Sequence, residues 1–170
     1  MDIAVEVDPE AWGPAGTVVE VIRSAVVATL EMAPGRRDGA ITIVLTGDDE
    51  AAVLNQKHRG KSGATNVLSF PAPQLRGLPL GEPQPLGDII LAAGVIRREA
   101  AEQGISLDLH LRHLVVHGTL HLLGHDHDTD EKAEEMAALE AKVLNRLDIG
   151  SAGRNHGRTS GAGSAAPFDR

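Results

Sequence analysis

The most constraining feature of the chain is the eleven-residue stretch 117–127, which contains four histidines and two glycines. His117 and His121 are four residues apart, a spacing that places both imidazoles on one face of a helix. Gly124 follows where such a helix would end, and glycine accepts the left-handed conformation that reverses a chain. The reversal brings His127 beside the other two. The sequence therefore predicts a central helix and following turn that hold one metal ion on three imidazoles, with the open fourth position typical of catalytic zinc.

The same stretch lacks the glutamate that metalloproteases carry. Their helix has Glu directly after the first His as general base, and long forms add a Gly and a third His at the offsets of Gly124 and His127. This chain has Gly118 at the position of that Glu. The pattern therefore predicts the metal cage without the proton acceptor of a protease. A zinc metallopeptidase-like hydrolase stays as an alternative.

The remaining histidines of this region are not predicted as ligands. Six of the eight histidines lie between His110 and His127, which favours a metal site over isolated structural histidines. His110 and His113 fall on nearly the face of His117, where they either support a ligand or simply continue that face. His125 is expected to point elsewhere. Asp126 either orients a ligand imidazole or caps the next helix.

The composition predicts one domain with an aliphatic core. The chain has 170 residues, of which 42% are hydrophobic and only 2% aromatic, and it has no cysteine to form disulfides or thiolate ligands. No apolar run approaches the ~18 residues that span a bilayer, and the N-terminus does not resemble a signal peptide. We expect a cytoplasmic protein without a membrane partner. We also expect a single domain over residues 1–149 and a disordered Gly/Ser/Ala/Arg tail over 150–170.

The charge is unevenly distributed. The net charge of −8 argues against a general nucleic-acid binder, and no DNA partner is expected. Residues 51–81, however, contain no acid, and they include Lys57, Arg59, Lys61 and Arg76. A basic patch on an acidic protein suits a confined phosphate site. The alternative for the two lysines is an ordinary solvated surface.

Hydrophobic periodicity predicts an α+β fold. The expected architecture is a small, about four-stranded mixed sheet with helices packed mainly on one face and a buried central helix that carries the metal site. A proline-rich loop is expected between the third and fourth strands, and the strand order is left open. Ser106, Asp48 or Asp49, and Asp128 with Glu131 are predicted as helix caps. The strands are expected near residues 3–7, 41–46, 66–71 and 87–91, the loop at 72–86, and the helices near 17–32, 48–58, 92–103, 107–123 and from 131 onwards.

Several of these segments together resemble the YbeY family of bacterial endoribonucleases and rRNA maturation factors. The resemblance rests on residues 117–127, on Arg59 with the segment 65–71 (TNVLSFP), and on the strand start at 86–89 (LGDI). It covers roughly residues 40–148. It implies one zinc ion on His117, His121 and His127, and a single-strand-specific cut in RNA. It also implies roles in 16S rRNA 3′-end maturation and ribosome quality control, with the ribosome or its small subunit as partner.

The resemblance also implies a catalytic role for Arg59, which matches the family's functionally important arginine. A guanidinium offers a planar, permanently charged fork for a phosphate, and Lys57 and Lys61 would then bind neighbouring phosphates. The chain departs from the family at Asn66, where Asp is common. Asn keeps the shape and an acceptor but loses the charge, which puts a catalytic role for this position in doubt.

A third hypothesis is a non-catalytic ribosome-associated zinc protein. In such a protein the metal only ties the helix to the following turn, and the site is closed by a fourth protein ligand. The enzyme hypothesis instead needs the open position, where bound water ionises near a pKa of about 7 or a phosphoryl oxygen is polarised. The number of protein ligands therefore separates the two.

Overall fold

A four-stranded mixed sheet forms the centre of the protein. The computed structural model describes residues 2–34, 39–60, 65–73 and 76–152. The strands are β1 (Asp2–Val7), β2 (Ala40–Thr46), β3 (Val67–Pro71) and β4 (Pro85–Ala92). Their order in the sheet is β1-β2-β4-β3, with β1, β2 and β4 parallel and β3 antiparallel to β4 at one edge. The predicted mixed, four-stranded sheet is confirmed, and the structure supplies the order.

Six helices surround this sheet in the described part of the chain. They are α1 (Pro9–Trp12), α2 (Gly16–Met32), α3 (Asp48–Arg59), α4 (Ala93–Gln103), α5 (Leu107–Leu122) and α6 (Asp130–Ala152). The short α1 is absent from the predicted helices, because Pro9 and Gly13 interrupt the apolar pattern there. Pro9 in fact begins this helix, and the Asp8 carboxylate accepts a hydrogen bond from the Glu10 amide at 3.0 Å. Among the described helices none is long and apolar enough to cross a membrane.

The main hydrophobic core lies between the sheet and helices α2 and α5. Alternate residues of β2, namely Ile41, Ile43 and Leu45, are at most 2% exposed and belong to one cluster with Ile89 and Leu91 of β4. Such alternation is what a strand with one face on the core requires. Helix α5 is buried on several sides, as expected for the predicted central helix. It therefore holds its C-terminal histidines at a position fixed by the core.

One helix packs on the opposite face of the sheet. Ser69 of β3 faces α5, since a Cβ on Gly118 would lie 3.0 Å from its Oγ. The next residue, Phe70, must then point to the other face. There its ring lies 5.0 Å from the ring of His58, near the end of α3. The end of α3 is thus placed beside β3, on the other side of the sheet from α5.

Two boundaries differ from the sequence-based expectations. Strand β4 begins at Pro85, inside the predicted loop 72–86, because Leu86 is only 2% exposed and its carbonyl accepts a hydrogen bond from the Ala72 amide at 3.0 Å. Helix α6 reaches Ala152, so residues 150–152 are helical and not part of a disordered tail. The rest of the predicted tail, 153–170, lies outside the described residues.

The predicted caps are right at one helix and wrong at two. The Ser106 hydroxyl accepts a hydrogen bond from the Leu109 amide at 3.1 Å, as predicted. Helix α3 is capped by Gly47 without a side-chain bond, because Asp48 instead accepts from the Val95 amide at the start of α4. At α6 the acceptor is the Thr129 hydroxyl, which bonds the Lys132 amide at 3.2 Å. The predicted capping box of Asp128 with Glu131 is therefore wrong by one residue.

Candidate metal centre

The three histidines predicted as ligands converge at the end of α5. Ring nitrogens of His117, His121 and His127 all lie within 4.8 Å of one another. The Nε2 atoms of His117 and His121 are 3.0 Å apart. Three nitrogens bound to one zinc ion at ~2.0–2.1 Å stand about 3.3 Å apart in tetrahedral geometry. The spacing therefore fits a shared ion, with small adjustments of the rings.

A glycine turn brings the third histidine to the other two. Gly124 has a φ of 97°, its amide donates to the His121 carbonyl at 3.0 Å, and the His125 amide donates to the Leu120 carbonyl at 3.0 Å. This pair of bonds is a Schellman motif, which satisfies the last carbonyls of a helix while the chain reverses. The turn that the sequence predicts is therefore present. It leads the chain back so that His127 reaches the cluster.

Asp126 stabilises the segment after this turn. Its carboxylate accepts a hydrogen bond from the His127 amide at 2.8 Å, and this bond is the main cause that lowers the pKa of Asp126. Of its two predicted uses, capping α6 is excluded, because Thr129 caps that helix. The hydrogen bond instead restrains the backbone at His127, the most exposed of the three histidines.

The C-terminal helix supplies a carboxylate that the sequence analysis missed. Glu140 of α6 lies with its Oε1 2.5 Å from Nδ1 of His117, and His117 is only 7% exposed. Metal-bound histidines commonly donate their second ring N–H to a carboxylate, which fixes the tautomer and the ring orientation. With Nδ1 used in this way, His117 directs the lone pair of Nε2 towards the cluster. Glu140 therefore lies where it can fix the tautomer and the orientation of the His117 ring.

A signal for Glu140 exists in the sequence. It lies four residues after Met136 and three before Val143, both of which are almost fully buried. An acid within the apolar stripe of a helix is costly unless it has a buried partner. Glu140 could therefore have been found from this pattern.

The electrostatic environment keeps His121 neutral. Burial is the largest cause that lowers its pKa to about 4, and the neighbouring His117 and His127 lower it further. Asp126 and a hydrogen bond to the backbone of His125 act in the opposite direction but do not offset this effect. At neutral pH the ring is therefore uncharged, which is the form in which histidine binds a metal.

Replacing Glu140 with Gln is expected to weaken zinc binding about tenfold, at the lower end of the 10–100-fold range for groups that support a metal ligand. Gln has the same shape as Glu but lacks the charge that makes His117 a better electron-pair donor to the metal. The dissociation constant is measured by competition with a chromophoric chelator. Glu135→Gln, on an exposed position of the same helix, is the matched control. Equal affinities of the two variants would contradict the assigned role.

Gly118 packs against the sheet and not towards the metal ligands. A Cβ at this position would lie 3.0 Å from Ser69 Oγ and 3.2 Å from Ile89 Cδ1. The position where a metalloprotease carries its general base is therefore occupied by a close helix–sheet contact. Among the described residues, the cluster able to hold a metal contains the three histidines and no carboxylate. Within the described part of the chain, this cluster therefore contains neither a protease base nor a fourth protein ligand.

The other polar residues near the predicted site form a separate buried network. Glu99 of α4 accepts a hydrogen bond from the Asn66 amide at 2.9 Å and lies 3.0 Å from Nε2 of His110. Asn66 is 3% exposed and His110 is fully buried. An amide can donate to Glu99, which a carboxylate could not, so Asn66 has a structural partner that explains its identity. His113, whose pKa is lowered mainly by burial, and His125 are likewise outside the cluster.

Two of the predicted basic residues, Lys57 and Arg59, lie at the end of α3. This helix ends at Arg59, after which Gly60 has a left-handed conformation with φ 66°. Lys57 is exposed. The structure describes the backbone of Arg59 but not its side chain, and Lys61 lies outside the described residues. The structure therefore places Lys57 and Arg59 together at one exposed helix end.

This helix end and the histidine cluster occur at the same end of the sheet. Phe70 and Pro71 of β3 pair with Asp88 and Gly87 of β4. A Cβ on Gly87 would lie 2.9 Å from Leu122 Cδ2, one residue after His121. The contact of His58 with Phe70 brings the end of α3 to this region from the other face. The edge strand β3 thus lies between the end of α3 and the C-terminal end of α5.

The fold and the site define an α+β protein with a three-histidine centre suited to hydrolytic metal chemistry. The family model described as Endoribonuclease YbeY matches residues 12–148. Endoribonuclease YbeY of Maricaulis maris is 44% identical over 149 residues, covering 88% of each chain. The Xanthomonas campestris pv. campestris relative of the same name is 50% identical over 114 residues, covering 66% of this chain and 71% of the relative. The chain belongs to the YbeY family of hydrolytic endoribonucleases, which confirms the resemblance.

A solved structure supports the fold independently. The solution structure of TM1509 from Thermotoga maritima aligns with a TM-score of 0.61 over 96% of this chain and 99% of that one. Its sequence identity is 24%, so the likeness concerns the fold alone.

Proposed function

We propose that this protein is a zinc-dependent endoribonuclease that cuts single-stranded RNA, with His117, His121 and His127 as the zinc ligands. Its proposed tasks are 16S rRNA 3′-end maturation and ribosome quality control, with the ribosome or its small subunit as partner. The observation that supports the metal centre best is the convergence of three imidazoles, one of them oriented by Glu140, in a chain of this family.

The protein's own residues prepare the site for a cation. Burial and neighbouring histidines keep His121 neutral, and Glu140 leaves Nε2 of His117 free to coordinate. A bound zinc ion would supply a Lewis acid for a phosphoryl oxygen or lower the pKa of a water molecule to about 7. His127, on the exposed turn, leaves the solvent side of the cluster accessible to a large substrate.

Arg59 is proposed to bind the phosphate that is cut. Its guanidinium can donate two parallel hydrogen bonds to phosphate oxygens and remains charged throughout the working pH range. Lys57 and Lys61 are proposed to hold neighbouring phosphates. The support for Arg59 is its place at the end of α3, at the sheet end that also carries the histidines.

Arg59→Glu is expected to reduce RNA cleavage at least about tenfold, since a repelled phosphate replaces a bound one. Zinc content and the circular dichroism spectrum should stay unchanged. Cleavage of a fluorescent single-stranded RNA measures the effect, and Lys142→Glu makes the same charge change at an exposed position on α6. Equal activity of the two variants would show that Arg59 is only a solvated residue at a helix end.

The two alternatives make different predictions for simple assays. A metallopeptidase would cleave casein. In this chain, however, the position of the peptidase's general base is occupied by Gly118, which packs against the sheet. A non-catalytic zinc protein would cleave nothing. Zinc-loaded protein is therefore incubated with single-stranded RNA and with casein, with and without a chelator. Chelator-sensitive RNA cleavage supports the proposal, and casein cleavage or inert RNA contradicts it.

The ribosomal part of the proposal is tested in cells. A strain whose only copy of the gene carries the Glu140→Gln change should accumulate 16S rRNA with unprocessed 3′ ends, because the metal centre is weakened while the fold is kept. Primer-independent mapping of rRNA 3′ ends measures this. Normal 3′ ends in a strain that lacks the gene would remove the maturation role.

A further inference from the structure

A partly exposed aromatic side chain lies at the edge of the sheet near the candidate centre. Phe70 of β3 is partly exposed, whereas Trp12 is only 3% exposed. Of the tryptophan and phenylalanine side chains that the structure describes, Phe70 alone therefore presents a ring to solvent. The exposed ring of His58 lies 5.0 Å away at an angle of 55°. Two adjoining rings at the surface form a platform of the kind on which unpaired nucleobases stack.

The charges around this platform favour a base over a phosphate. Asp88 of β4 pairs directly with Phe70, so its exposed side chain lies on the same face of the sheet. A carboxylate repels a phosphate but accepts hydrogen bonds from the N–H groups on the edge of a base. Lys57, directly before His58, is available for the adjoining backbone phosphate. The arrangement therefore suits one nucleotide, with its base on the rings.

The position of β3 connects this platform to the metal centre. Ser69 of this edge strand faces the helix of His117, and the adjacent Phe70 faces the opposite side. An RNA strand that passes over the edge of β3 can therefore contact the histidine cluster on one side and the rings on the other. A base that stacks on these rings cannot remain paired in a duplex.

We propose that Phe70 and His58 form a stacking site for one unpaired nucleobase of the RNA substrate, with Asp88 as hydrogen-bond acceptor for its edge. This inference rests on the proposed function as an RNA-cutting enzyme. It goes beyond that function, because it assigns single-strand preference to side chains outside the metal centre. A duplex would have to open one base pair to occupy the site.

The test uses a set of short fluorescein-labelled single-stranded RNAs, each with one abasic position, and zinc-loaded protein. The dissociation constant is measured by fluorescence anisotropy. With the unmodified protein, one abasic position is expected to weaken binding about tenfold, the usual effect of losing a base–aromatic stack. Phe70→Leu should weaken binding of the intact RNA about tenfold and abolish the additional effect of that abasic position. His58→Ala should act in the same direction, and Asp88→Ala should change which base is preferred there.

The control is Val53→Ala, which removes an exposed apolar side chain, 64% accessible, from the same helix as His58. If Phe70→Leu and His58→Ala bound the intact RNA as tightly as this control does, the stacking site would be overturned. Because binding is measured, this result does not depend on cleavage. If the proposed function is wrong, the unmodified protein will fail to cut any of the RNAs, which is a separate result from the binding measurement.

Discussion

His117→Ala is expected to reduce RNA cleavage to less than about 1% of the unmodified protein and to remove most of the bound zinc. Groups that only support a metal ligand already account for 10–100-fold effects, and His117 is the most buried of the three proposed ligands. The change also leaves Glu140 without the ring that it contacts at 2.5 Å. Metal content per chain and cleavage rate are measured on the same preparation.

The matched control for this prediction is His125→Ala. His125 lies in the same turn, but its side chain is outside the cluster, and its contacts with Leu120 and His121 are made by the backbone. Zinc content and cleavage should both be preserved. If His117→Ala lost its metal but still cut RNA at the normal rate, zinc would have no part in the reaction.

Gly118→Glu is expected to destabilise the protein by at least about 3 kcal/mol, since it combines overpacking with the burial of a charge. Its Cβ would lie 3.0 Å from Ser69 Oγ, and the carboxylate would be forced into the contact between α5 and the sheet. The free energy of unfolding is measured by urea denaturation, with zinc absent so that metal binding does not mask the effect.

Gly118→Ala separates the two causes of this destabilisation. The nearest atoms to the added methyl group are ends of side chains, Ser69 Oγ and Ile89 Cδ1, which can shift by a few tenths of an ångström. We expect a change within about 1 kcal/mol, because better helix propensity offsets the tighter packing. A stable Gly118→Glu variant that cleaved casein would show that this position faces the metal and would favour the peptidase alternative.

The sequence was sufficient for those features that depend on neighbouring residues. The spacing of His117 and His121 and the turn at Gly124 are local, so the cluster could be assembled from helix geometry and one left-handed glycine. The first strand followed from alternation of apolar residues, and the second from a β-branched apolar run bounded by glycines. Ser106 was recognised as a cap because its partner lies only three residues away.

Features that depend on contacts between distant segments could not be predicted in this way. Asp48 was assigned to its own helix, but it bonds Val95 of another helix, 47 residues away. Glu140 approaches His117 across 23 residues. The bond from the Asn66 side-chain amide to Glu99 likewise joins the residue before β3 to α4. Each requires the packing of elements whose arrangement the sequence left open.

Anomalous diffraction at the zinc edge from crystals of the protein tests the metal centre most directly. We expect one peak at ~2.0–2.1 Å from one ring nitrogen each of His117, His121 and His127, with no fourth protein ligand. An ion bound elsewhere, or a side chain that closes the fourth position, would contradict a catalytic zinc site built on these three histidines.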